Sequence, residues 1–70
     1  MFNMNYVLYE LPRKKFIGKF NSIEDIRAFA IEQANKFNSG MYREWVNLEG
    51  LRIFDCGPFI YQVEENIDTE

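Results

Sequence analysis

Only one stretch of this 70-residue chain has the apolar period of a helix, and that limits every fold open to it. Ile23, Ile26, Ala30, Ala34 and Phe37 recur at helical spacing and fall on one stripe. Phe29 widens the stripe on one side. Ser22 stands where an N-cap is needed, with Glu24 and Asp25 after it at the positive end of the helix dipole. Asn38-Ser39-Gly40 closes the segment, Gly40 supplying a left-handed cap. One helix can cover one face of a sheet and no more.

The rest of the chain reads as strands. Asn5–Leu11 is rich in aromatic and branched residues, and Pro12-Arg13-Lys14 breaks it. Lys15–Phe20 follows as its hairpin partner, with Gly18 marking a bulge or a close backbone approach. After the helix come Tyr42–Leu48, Leu51–Asp55 and Phe59–Val63, separated by Glu49-Gly50 and by Cys56-Gly57-Pro58. The expected fold is α+β: a single small domain, ββαβββ, with one helix packed on one face of an antiparallel sheet of about five strands. The domain should span 1–63, and 64–70 should form an acidic, frayed tail.

Twelve aromatic side chains then pose a packing problem. A domain of this length buries only about 60% of the surface its unfolded chain exposes. Some rings should therefore face outwards, onto a partner or onto a second copy. If Glu49-Gly50 is a two-residue turn, Val46 faces Ile53 and Glu44 faces Asp55 on the helix side, while Trp45 faces Phe54 and Asn47 faces Arg52 on the far side. The core is then Ile23, Ile26, Phe29, Phe37, Val46 and Ile53. The far face collects Trp45, Phe54 and Ile60, with Tyr6 and Leu8, ringed by Arg43 and Arg52. In the last strand Phe59, Tyr61 and Val63 share the face opposite Ile60 and Gln62.

The formal charge of −3 is concentrated at one end. Residues 64–70 hold four of the eleven acids and no base, so residues 1–63 carry eight bases against seven acids. That near-neutral body argues against DNA mimicry and against a committed nucleic-acid binder. Arg13, Lys14, Lys15 and Lys19 do form a basic hairpin tip that can steer a partner or touch phosphates.

Most enzyme chemistry has no residues to run on here. The chain lacks histidine, so it has neither the commonest general base nor a Ser/His or Cys/His pair. Cys56 is the only cysteine, which excludes an internal disulfide and a zinc cluster. Nothing near it in sequence lowers its pKa, so it reads as an ordinary thiol. A facing Glu44 and Asp55 are the one carboxylate pair worth weighing for acid–base or divalent-cation chemistry. No cofactor is implied. The chain has no secretory leader pattern and no apolar run near the about 18 residues of a membrane span, and its lone thiol fits the reducing cytosol.

These features point to a small, non-enzymatic, cytoplasmic module that binds a larger protein and inhibits or regulates it. Trp45, Phe54, Arg43, Arg52 and Tyr6 are the expected contacts. The abundance of Asn, Ile, Phe, Tyr and Lys reflects A/T-rich codons and suggests a low-GC bacterium or its phage, hence an inhibitor of a host enzyme or defence system, of the anti-CRISPR kind. The alternatives are a binder of single-stranded nucleic acid that stacks bases on the open sheet face, and a structural homo-oligomer such as a homodimer.

Overall fold

A computed structural model describes the backbone of residues 2–69 and the side chains of residues 5–66. The elements are β1 (Phe2–Leu11), β2 (Lys15–Phe20), α1 (Ile23–Phe37), β3 (Arg43–Val46), β4 (Arg52–Asp55) and β5 (Ile60–Thr69). The five strands form one antiparallel sheet in the order β2-β1-β5-β4-β3, with α1 on one face. This is the expected α+β domain.

The helix begins and ends where its sequence signals lie. Ser22 is extended, and its Oγ accepts from the Asp25 N–H at 3.1 Å. At the other end the N–H groups of Asn38 and Gly40 both donate to the Ala34 carbonyl, Gly40 with φ +82°. Ile26, Ala30 and Ala34 are fully buried. The two alanines keep the stripe narrow enough for close approach: the Cys56 thiol donates to the Ala30 carbonyl across a 3.2 Å gap.

Around this contact the core gathers Leu8, Phe54, Tyr61 and Val63 from the sheet, with Tyr6, Phe20, Phe29, Tyr42 and Phe59 packed against it. Most rings are used here. Phe20, Phe29, Tyr61, Phe59 and Phe37 form a continuous series, each centroid 5.3–6.2 Å from the next. Tyr42 stacks on Phe54 at 6.1 Å. Edge-to-face and offset ring pairs stabilise such a core beyond their buried area.

The β3–β4 register differs by one residue from the expectation. Trp45 pairs with Ile53, Glu44 with Phe54, Arg43 with Asp55, and Val46 with Arg52. The Glu49-Gly50 turn fails because a type I′ loop needs positive φ at both central residues, and only Gly50 (φ +83°) has it. The chain instead makes a three-residue loop, Leu48-Glu49-Gly50. The Asn47 N–H donates to Leu51 O, and Asn47 Oδ1 accepts from the N–H groups of Glu49 and Leu51. A one-residue slip reverses the faces of one strand against the other.

Several assignments change as a result. Phe54 is 0% exposed, at the centre of the core. Leu8 is buried beneath the helix, with Tyr6 packed beside it, while Val7, Tyr9 and Leu11 take the far side. Ile53 is buried, but on the far face. Phe37 (55% exposed) ends the helix and leans on Phe59 from outside the core. Val46 (54% exposed) lies on the outermost strand, on the helix-facing side with Glu44 and Arg52. Tyr61 and Val63 are in the core, with Phe59 packed against it and Ile60 and Gln62 opposite, as alternation in the last strand requires.

The acidic segment also behaves differently from a frayed tail. Glu64–Thr69 continues β5, paired with β1 from Val7 back to Phe2. Glu70 lies outside the described residues. The resulting β1–β5 pair runs for ten residues.

Candidate functional site: the open face of the sheet

The far face of the sheet has no helix over it, and the register defines what it presents. One row crosses all five strands: Phe16, Tyr9, Gln62, Ile53, Trp45. A second row, Leu11, Ile60, Asp55 and Arg43, lies on one side, and Lys19, Val7 and Glu64 lie on the other. Residues paired across adjacent strands share a face, so these rows follow directly from the ladder. Phe16 (57% exposed) and Trp45 (40% exposed) stand at the two ends of the central row.

Ion pairs bracket this row, which is apolar but for Gln62. Lys14, in the left-handed region at φ +57°, turns back from the hairpin tip. Its Nζ lies 2.6 Å from Glu64 Oε2 and 5.1 Å from the Tyr9 ring centroid. The hydrogen bond to Glu64 raises the Lys14 pKa above its ordinary value. At the opposite edge Arg43 Nη2 donates to Asp55 Oδ2 at 2.9 Å, and its guanidinium lies 5.6 Å from the Trp45 ring centroid. Asp55 is held below the usual carboxylate range by the Gly57 N–H and then by Arg43. Tyr9 and Phe16 meet edge to face at 6.3 Å.

The structure therefore separates the residues grouped from sequence. Trp45 and Arg43 share the open face. Phe54 does not, and Tyr6 packs against the core on the helix side. Arg52 is also on the helix side, where it and Arg27 hold Glu44. Arg27 makes a two-pronged contact, Nε and Nη2 each 2.9 Å from a Glu44 oxygen, and the Tyr42 hydroxyl donates to the same carboxylate. These bonds, Arg27's foremost, lower the Glu44 pKa to about 2. Glu44 and Asp55 consequently sit on opposite faces and form no carboxylate pair. Of the basic tip, Lys14 is occupied, Arg13 and Lys15 are exposed, and Lys19 flanks the open face.

Tyr9 and Phe16 are the site residues that strand reading missed. Their signal was the alternation of Val7, Tyr9 and Leu11, which only the register assigns to the outside. Among the described residues, no group of three or more His, Cys, Asp or Glu side chains is placed to hold a metal ion, and no helix is long and apolar enough to cross a membrane. No family model, curated protein or solved structure matches this chain.

Proposed function

We propose that this chain is a small non-enzymatic module that binds a larger protein through the open face of its sheet and thereby inhibits or regulates it. The observation that carries this reading is the row Phe16–Tyr9–Gln62–Ile53–Trp45, aromatic at both ends, apolar but for Gln62, and bracketed by satisfied ion pairs. Aromatic anchors with arginine beside them are the side chains that dominate binding hot spots. Because Lys14 and Arg43, beside the two ends of the row, are already paired, the face favours an apolar protein contact over a phosphate track. The A/T-rich codon composition makes a phage-encoded inhibitor of a host enzyme or defence system a concrete form of this reading.

The test is affinity capture from a low-GC bacterial lysate with the chain and with a Phe16→Ala, Trp45→Ala variant whose fold is checked by circular dichroism. A protein retained by the native chain and lost by the variant supports the reading. A protein captured equally by both, or a nucleic acid released between about 50 and 200 mM salt, overturns it.

A further inference from the structure

The two outer strands of the sheet are protected very differently. The β2 edge carries exposed Lys15 and Lys19, and a bulge interrupts its ladder where Tyr9 pairs with Phe16 and Leu8 with Gly18. Lysines and bulges are the usual means of keeping other strands off an edge. The β3 edge has no lysine, no proline and no bulge. Met41, Trp45, Val46 and Leu48 are all exposed along it. Its two charged side chains are tied to partners within the chain, Glu44 to Arg27 and Arg52, Arg43 to Asp55.

The backbone of β3 is also set for pairing. The Asn47 N–H bonds Leu51 O, so alternation directs the peptide groups of Trp45 and Arg43 towards β4. Those of Glu44 and Val46 face outwards, and among the described residues no strand meets them.

We infer that β3 accepts an extended segment of the bound protein as a sixth strand, hydrogen-bonded to the outward peptide groups of Glu44 and Val46. This rests on the protein-contact reading above and adds how the partner is held. Size favours it: strands about 4.8 Å apart make the open face on the order of 500 Å², against about 800 Å² per partner in a stable interface. A partner that continues over the β3 edge makes up the difference, whereas a second copy meeting the four-residue edge alone does not. Charge selects the segment. Arg43 bonds Asp55 through Nη2 and its side chain is 78% exposed, so its guanidinium keeps donors for an acidic residue on an added strand. An added strand places one side chain opposite Arg43 and another opposite Trp45 on the same face, so the fitting segment has an acidic residue two positions from an apolar one.

The test pans the intact chain against a displayed library of random peptides about twelve residues long, then maps enriched peptides on the isotope-labelled chain. Enriched peptides should carry an acidic residue two positions from an apolar one and slow amide exchange at Glu44 and Val46 at least about tenfold. Val46→Pro removes an N–H that the β4 ladder does not use, and edge strands tolerate proline there. It should weaken peptide binding at least about fivefold beyond Val46→Ala, which keeps the N–H. No enrichment, a lysine- and arginine-rich consensus, equal binding by the two variants, or protection of both amides in a concentration-dependent dimer without peptide would overturn strand addition. Capture of the natural partner that depends on Phe16 and Trp45 but ignores Val46→Pro sinks strand addition alone. Capture sensitive to Val46→Pro and indifferent to Phe16→Ala and Trp45→Ala sinks the open-face reading instead.

Discussion

Trp45 faces Ile53 across the β3–β4 ladder, and Ile53 is only 4% exposed on a face that no helix covers. Its shelter comes from its row neighbours, Trp45 on one side and Gln62 on the other. The indole thus has two roles: it closes over an aliphatic residue that would otherwise meet water, and it presents its outer surface to solvent. Truncating it to alanine should destabilise the domain by about 1–2 kcal/mol, read as a lower urea midpoint at unchanged slope. Trp45→Tyr, which keeps a ring in place, should lose less than half of that.

Glu44 ties the helix to the edge of the sheet. Its carboxyl pKa falls from 4.5 to about 2, chiefly through Arg27. A depressed carboxylate pKa contributes stability that is fully present above the unfolded value and lost as pH falls through the folded one. Urea midpoints should therefore drop between about pH 5 and pH 2 in the native chain. Glu44→Gln should cost roughly 2–3 kcal/mol at neutral pH and flatten that stretch of the profile. A variant with an unaltered acid limb would show that the network contributes nothing.

Gly57 is required by two independent constraints. Its φ is +85°, and a Cβ built there would lie 2.3 Å from Cγ of Asn38, the C-cap residue of α1. Asn38 cannot retreat freely, because its Nδ2 donates to the Met41 carbonyl. Gly57→Ala should destabilise the domain by about 2 kcal/mol or more, well beyond the effect of the same change at Gly18, where φ is not positive and the nearest atom is at 3.7 Å. Thermal melts of the two variants, side by side, make the comparison.

Cys56 is fully buried, and burial first, then Asp55, raises its pKa. Both effects disfavour the thiolate, the reactive form. Labelling by a disulfide reagent should be at least about a thousandfold slower than in urea-unfolded chain, because it must wait for opening of the helix–sheet contact. Fast labelling of the native protein would place the thiol outside the core.

Much of the fold was legible because its signals are local. Ser22, the acids behind it, the stripe from Ile23 to Ala34 and the glycine at position 40 are all read within one helix length, and the helix runs between them as expected. Pro12 and the run after it end β1 in the same way. The far face was legible only in outline: a single helix must leave one side of the sheet open, and Trp45 and Arg43 are on it. Ile60 is there too, whereas Phe54, Arg52, Tyr6 and Leu8 were misassigned because strand periodicity identifies two alternating sets without saying which set is inside.

That choice belongs to the tertiary structure. A single residue in the hairpin loop, Leu48, moves Phe54 to the core and leaves Trp45 opposite Ile53, because Gly50 alone takes positive φ and Asn47 bonds the loop that results. The acidic end becomes a strand for a related reason: its partner, β1, lies at the other end of the chain, and no local pattern announces a pairing across that distance. The sequence by itself determined the kinds of element, their order and the need for one uncovered face. Long-range pairing and one loop residue decided which rings line that face, since a shift of one position in a period-two strand exchanges inside for outside.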